Sequence, residues 1–249
     1  MAKTSNSMEF IAVKTRVLVP PKDDLYKVMD ESLPELYPGD IVLVTSKVVS
    51  IHEGHSVPVA DVPDKDALIV QEAEHAITRE YFSTAQKFLL TIKHNTLIPS
   101  SGIDESNAKG HYILWPKDPT KSAREICLYL RKKYKTNKLA VILTDSHTTP
   151  LRWGVTGIAI GSWGLEPLHD YRGTPDIFGR VLEVTRASVI DPLAAAAVMV
   201  MGEGAEQQPI VIARGAPHVV FTDTDTHHKI AIALDDDLYA PLLKVFNKS

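Results

Sequence analysis

Apolar and polar positions divide the 249 residues into short alternating stretches and longer stretches of helical spacing. Residues 9–19 are rich in β-branched side chains and stop at Pro20-Pro21, which predicts a strand and a break. Asp23-Asp24 then open a predicted helix to about Leu33, with the acidic residues at its positive end. Pro38-Gly39 marks a turn before a strand over 40–45. The spacing over 66–80 is helical, 87–93 predicts a strand, and 99–110 reads as a polar loop. Asp118-Pro119 starts a helix to about Tyr134, with proline in the first turn where its missing N–H costs nothing. Residues 138–143 are a short apolar run, a buried strand ending at Thr144-Asp145. The glycine-dotted segment 150–179 predicts several short strands and turns. A strand over 181–185, a helix over 191–201, a strand over 209–213 and a last helix near Leu234 follow.

Strands and helices mix without a regular βαβ rhythm, so the expected fold class is α+β. No internal repeat or low-complexity linker interrupts the chain. Residues 1–8 are expected to form a loose leader, and 9–249 one folded unit or two closely packed lobes.

The content, 44% hydrophobic and 23% charged, is that of an ordinary globular protein. Twenty-seven basic against 31 acidic residues leave a net charge of −4. No broad basic field therefore invites nucleic acid or a membrane surface, although a compact phosphate pocket is compatible with that balance. Cys127 is the only cysteine, so no intrachain disulfide forms. It shares a helical face with Ala123, Ile126 and Leu130, which makes it a core residue rather than a reactive thiol. The polar N-terminus lacks the apolar run of a signal peptide, and the longest apolar stretch, 193–201, is too short to span a bilayer. A cytoplasmic location is expected.

Three loops gather polar groups at strand or helix ends. Residues 101–107 read SGIDESN, where a glycine gives the backbone room and Asp104 and Asn107 can face one point. Residues 144–152 read TDSHTTPLR, a carboxylate and hydroxyls directly after a buried strand. Residues 201–208 read MGEGAEQQ, at the end of a helix too apolar for a surface. Hard divalent cations take oxygen ligands, and Asp104, Asp145, Ser146 and Glu203 are such a set.

Six motifs run in one order: TSKVVS-x-x-EG (45–54), GIDESN (102–107), a strand followed by Asp145, DYRG-x-x-D-x-x-GR-x-L-x-VT (170–185), AAAA-x-x-x-MGE (194–203) and IARG (212–215). Together they resemble the coenzyme F420-0:γ-glutamyl ligase family over about residues 9–220. The resemblance implies an α+β fold proper to that family, an intertwined homodimer, and GTP-dependent joining of L-glutamate to a coenzyme F420 precursor carboxylate. It also implies two divalent cations, Mg²⁺ or Mn²⁺, with ATP as the alternative nucleotide and a monovalent cation as a further ligand. Carried over residue by residue, Asp104 and Asp145 would hold the first metal and Ser146 and Glu203 the second. Nucleotide contacts would fall on Arg16, Val17, Leu18 and Val19, on Ser46, Lys47 and Asn107, and on Met201, Gly202, Gly204, Ala205, Glu206, Gln207 and Gln208. Arg152 ends the loop that the resemblance places at the reaction, and is expected to serve catalysis there.

Two departures from the family pattern stand out. Ile51 occupies a position where the family carries lysine, which removes a charge from the expected phosphate surroundings. The segment 146–152 reads SHTTPLR where the family commonly has TFGRPWR, so the arginine before the proline is missing. That loop bears on the acceptor, for which a folate γ-carboxylate is the alternative to the F420 precursor. The contrasting classes are a nucleotide-binding relative without catalysis and a metal-dependent phosphatase; four intact oxygen donors favour the enzyme.

The remaining polar residues read as structural. His52-Glu53-Gly54-His55 lacks the helical spacing of a zinc motif, and His227-His228 reads as a solvated loop. Arg172 and Arg180 are suited either to substrate anions or to Asp170 and Asp176. Trp115, Trp153 and Trp163 read as packing residues, the latter two also suited to an acceptor pocket. Glu203, Glu206 and His147 are the candidates for a general base.

Overall fold

The computed structural model describes residues 7–77, 79 and 88–248, so residues 1–6 of the expected leader lie outside the described residues. The order is β1 (Glu9–Val13), α1 (Leu25–Ser32), β2 (Ile41–Thr45), α2 (Ser46–Glu53), β3 (Ser56–Pro58), α3 (Lys65–Glu72), β4 (His75–Ala76), β5 (Leu90–Lys93) and β6 (Thr96–Pro99). It continues β7 (His111–Ile113), α4 (Pro119–Tyr134), β8 (Ala140–Thr148), β9 (Val155–Trp163), β10 (Leu168–Asp170), β11 (Arg186–Ser188), α5 (Ile190–Met201), β12 (Ile210–Arg214) and α6 (Ala240–Leu243). This is a mixed α+β arrangement, as the irregular alternation of elements predicts.

The central sheet has the order β1-β12-β2-β8-β9. All pairs are antiparallel except β2 with β8, where Ile41 lies opposite Ala140 and Thr45 opposite Thr144. Strand side chains alternate between faces, and here both faces are apolar because helices cover both. Val42, Val44, Val141, Leu143, Ile210 and Ile212 point to the side filled by α1, α2 and α4. Ile41, Leu43, Ala140, Ile142, Val211 and Ala213 point to the side filled by α5, through Leu193, Ala194, Ala197, Val198 and Met201. Cys127 is fully buried in the α4 side, as its helical face predicts.

Small sheets sit beside this core: β3 with β7, β4-β5-β6, and the ribbon β10-β11. The ribbon extends outward through 171–185, with Tyr171 N–H donating to Thr185 O at 3.1 Å and Gly173 N–H to Leu182 O at 2.8 Å.

Several elements differ from expectation for identifiable reasons. β1 ends at Val13, because the chain then leaves the sheet and Thr15 N–H donates to Gln207 O at 3.0 Å. α2 was not expected in a β-branched run; packing of Val48, Val49 and Ile51 into the core overrides local preference. α3 stops at Glu72 and is followed by β4, and residues 78 and 80 of the expected helix 66–80 lie outside the described residues, as do 81–87. β8 runs on to Thr148, so Asp145 and Ser146 belong to a strand rather than a loop.

The expected short strands of 150–179 are instead led by the nine-residue β9. Its glycines, read as breakers, are sites of close approach: a Cβ at Gly157 would overlap the Ala194 carbonyl, and one at Gly161 would meet Pro119. The register shifts between Leu143 and Thr144, a bulge that leaves Ile160 unpaired. Residues 181–185 form no strand beyond the bridge of Val181 with Pro175, and the last helix starts at Ala240 rather than near Leu234. Among the described residues no helix is long and apolar enough to cross a membrane.

Candidate active site

Four segments meet at one edge of the central sheet because of its strand directions. β2 and β8 are parallel and in register, so both release their chains on the same side. β2 passes directly into α2, which sets Ser46 and Lys47 in its first turn, where backbone N–H groups have no intrahelical acceptor. β8 continues through Asp145 and Ser146. β12 is antiparallel to β2, so the segment feeding it arrives at this edge, fixed by Thr45 N–H donating to Pro209 O at 3.0 Å. The exit of β1 lies beside it through the Thr15–Gln207 bond.

The segment 100–107 closes the site from the β7 side. Asp104 and Ile113 exchange backbone hydrogen bonds at 3.0 and 2.8 Å. Gly102 has φ +69°, and any Cβ there would overlap the Trp115 indole. That glycine therefore serves two needs: a left-handed backbone and room for an aromatic ring. Trp115, 1% exposed, uses its indole N–H as a donor to the Asp145 carboxylate.

Between these segments lies a cavity of about 470 Å³. Asp104, Asp145, Ser146 and Glu203 line it, as do Arg16, Val17, Leu18, Ser46, Lys47 and Asn107. So do Met201, Gly202, Gly204, Ala205, Glu206, Gln207 and Gln208. Val19 and Arg152 are not on its wall: Val19 is 38% exposed and Arg152 lies on the exposed β8–β9 turn. His147 is also off the wall, whereas Glu203 and Glu206 are on it. Ile51 lines the cavity but is only 2% exposed, packed into the core.

The polar groups engage one another. Lys47 Nζ lies 2.6 Å from Asp104 Oδ2 and donates to Ser106 O at 2.9 Å. Asp104 Oδ1 accepts from Ser106 N–H at 2.7 Å and its hydroxyl at 2.8 Å. Asn107 Nδ2 donates to Gly204 O at 2.9 Å, joining two of the loops. Glu206 Oε2 accepts from Gly204 N–H at 2.8 Å. Arg16, also on the wall, donates two bonds to the Asp23 carboxylate, at 2.7 and 2.8 Å.

Burial pushes the Asp145 carboxyl up to about 6, and the negative charge of Asp104 adds to this against donors from Trp115, Ser146 and Ser46. Glu203 is likewise raised, first by burial and then by Asp104 and Glu206, against Lys47 and the Ser146 hydroxyl. For Asp104 burial also acts upward, but Lys47 and the Ser106 donors outweigh it and hold the carboxyl below its usual range. These three carboxylates, with Glu206 as a fourth, thus face one cavity, and the Lys47 ammonium is paired to Asp104. Among the described residues no three His, Cys, Asp or Glu side chains converge on one metal position. Asp104, Asp145, Glu203 and the Ser146 hydroxyl are nevertheless all-oxygen donors, the chemistry suited to hard cations, and Lys47 already supplies a cation to Asp104.

Trp115 is the cavity-wall residue that sequence reading misses, taken there for packing alone. The signal was the indole itself, since a buried N–H must find an acceptor. Trp153 is fully exposed rather than packed, whereas Trp163 does pack against the core. Arg172 pairs with Asp170 at 2.6 Å on the surface, and Asp176 accepts from the Arg180 backbone rather than its guanidinium. His227 is half-buried against Ser162, 2.9 Å away, not a solvated loop residue.

The model of the F420-0:gamma-glutamyl ligase family matches residues 13–215. The chain is 34% identical over 227 residues to the coenzyme F420:L-glutamate ligase of Methanothermobacter thermautotrophicus, covering 84% of this chain and 90% of that one. It is 36% identical over 192 residues to the protein of the same name from Methanocaldococcus jannaschii, covering 72% and 76%. To that of Methanococcus maripaludis it is 33% identical over 235 residues, covering 90% and 94%. With the matched span containing every wall of the cavity, the chain belongs to the F420-0:gamma-glutamyl ligase family and is an acid–amino-acid ligase.

Proposed function

We propose that this cavity is where GTP, L-glutamate and a carboxylate of a coenzyme F420 precursor react to give a γ-glutamyl amide. The observation that carries the reading is the convergence of oxygen donors and the segments 16–18, 46–47 and 201–208 on a single cavity. A carboxylate does not yield to an amine directly, because the departing oxygen is a very poor leaving group. In the proposed sequence the acceptor carboxylate attacks the terminal phosphorus of GTP, giving an acyl phosphate and GDP. The glutamate amine then attacks the acyl carbon, inorganic phosphate departs, and the amine proton passes to a base.

Asp104, Asp145, Ser146 and Glu203 would hold two divalent cations, which neutralise charge on the transferring phosphoryl group when bound. Ser46, Lys47 and the loop 202–208 orient the phosphates, with Lys47 free to exchange Asp104 for a phosphate oxygen. Asn107 keeps the two loops together through Gly204. Trp115 holds the Asp145 carboxylate in orientation and excludes water behind it. Glu206, whose carboxylate accepts from Gly204 N–H, would accept the amine proton. The similarity to coenzyme F420:L-glutamate ligases, the all-oxygen donor set and the size of the cavity support this reading.

We further propose that the chain acts as a homodimer. Leu151 and Trp153 at the β8–β9 turn, and Ile177, Phe178 and Val184 on the ribbon, are each more than four-fifths exposed, between 84% and 106%. Large apolar side chains grouped at two protruding turns suit a self-complementary contact. The test of the function is turnover followed by mass, with GTP, L-glutamate, Mg²⁺ or Mn²⁺ and the F420 precursor, and with omission of each component in turn.

A further inference from the structure

Three cationic side chains line the cavity: Arg16, Lys47 and Lys109. Two of them are already engaged. Arg16 is clamped by Asp23 in a two-bond pair, with Glu31 3.5 Å away as a second partner. Lys47 lies on Asp104 and on both oxygens of Ser106. Lys109 has neither a carboxylate nor a hydrogen-bond partner for its ammonium among the described residues, yet it stands on the cavity wall.

The backbone at this point is unusual. Asn107 and Lys109 have positive φ, 52° and 48°, a region that residues with a Cβ rarely adopt. Two bonds fix the segment in that conformation: Asn107 to Gly204 O, and His111 N–H to Ala108 O at 3.0 Å. Ala108 between them is buried, so the turn is anchored and Lys109 cannot swing away with its backbone. A non-glycine residue held at positive φ beside a cavity is the kind of strain that a binding role accounts for.

We propose that Lys109 is a substrate-binding residue, whose ammonium pairs with an anionic oxygen of the bound reactants. This rests on the ligase reading above. The shared chemistry is a phosphate or carboxylate oxygen, contributed either by GTP or by L-glutamate. The cavity carries four carboxylates, Asp104, Asp145, Glu203 and Glu206, which by themselves repel any such ligand. An uncommitted ammonium on the wall offsets that repulsion without breaking an existing pair. The residue lies on the exposed rim, so its removal leaves the core untouched.

The experiment is titration calorimetry of wild type, Lys109→Ala and Lys109→Arg with GTP and Mg²⁺, then separately with L-glutamate on the GTP-loaded protein, each at low and high salt. Turnover is measured in parallel. Lys109→Ala should weaken one of the two ligands about tenfold, a loss of about 1.4 kcal/mol, and flatten that ligand's salt dependence. Lys109→Arg should restore most of both, which a structural role would not do. Weakening of GTP assigns the phosphate source, and weakening of L-glutamate the carboxylate source. If wild type binds and turns over but Lys109→Ala matches it in both titrations and both salts, the proposal is overturned while the ligase reading stands. If wild type itself neither binds GTP nor turns over, the ligase reading fails and takes this proposal with it.

Discussion

Replacing Asp145 by asparagine separates the cost of the proposed site from its use. The carboxyl is pushed from an ordinary 3.8 to about 6, chiefly by burial. A rise of roughly two pH units corresponds to about 3 kcal/mol of unfavourable charging. The side chain is at a cavity wall with some access to water, so about 1–2 kcal/mol is the expected net effect. The sign follows from proton linkage. A carboxyl raised in the folded state favours folding below its unfolded value near 4, and that contribution is lost as pH rises through about 6. Metal-free wild type at about pH 7.5 therefore carries a cost that the Asp145→Asn variant lacks, while the new amide oxygen can still accept from Trp115.

In chelator, Asp145→Asn should raise Tm by about 2–6 °C at about pH 7.5 and by only about a third as much near pH 4.5. Added Mn²⁺ or Mg²⁺ should then stabilise wild type and not the variant, because a neutral amide is a poor ligand for a hard cation. Differential scanning fluorimetry across pH, with and without metal, reads both effects. A variant that is destabilised in chelator at about pH 7.5, or that keeps the full metal-dependent rise, would refute the reasoning: Asp145 would then be a structural acceptor for Trp115.

Gly102→Ala forces a Cβ onto the Trp115 indole at a φ of +69°, and should cost about 1–3 kcal/mol with an altered tryptophan fluorescence. Unchanged Tm and emission would show that the indole moves aside freely. Ile51→Lys puts an ammonium in the cavity wall from a site 2% exposed, so it should lower stability by about 1–3 kcal/mol yet tighten GTP several-fold with greater salt dependence. Equal GTP affinity in calorimetry would mean that position 51 does not face the phosphates. Phe178→Ser with Trp153→Ser removes exposed apolar surface, and light scattering should report twice the chain mass for wild type and the single chain mass for the double variant. A monomeric wild type would end the dimer proposal.

The central strands and α4 and α5 were legible because their patterns are long and their ends are marked. Asp118-Pro119 caps α4 as read, with Asp118 accepting from Lys121 N–H at 2.9 Å. β2 and β12 emerge as uninterrupted apolar runs because helices cover both sheet faces. α2 was illegible for the opposite reason: Val48, Val49 and Ile51 favour strands locally, and only burial against the sheet makes them helical. β9 was hidden by Gly157 and Gly161, whose reason for being glycine is a neighbouring helix that the sequence does not display. At the site, short motifs pointed to most of the cavity wall, because polar residues gather where strands end. What they could not give was Trp115 reaching Asp145 across 30 residues, or Lys47 committed to Asp104. Arg152 matched a motif position, but in this chain it stands on an exposed turn away from the cavity.

The most direct test of the central claim is mass-detected turnover by wild type with L-glutamate, GTP and Mn²⁺, offered the F420 precursor and a folate in separate reactions. The expected result is a product heavier than the F420 precursor by one glutamyl residue, GDP and phosphate formed with it in equal amounts, and no GTP cleavage when glutamate or acceptor is left out. Glutamate added to folate alone would contradict the proposed acceptor, and GTP cleavage without any glutamylated product would contradict the proposed chemistry itself.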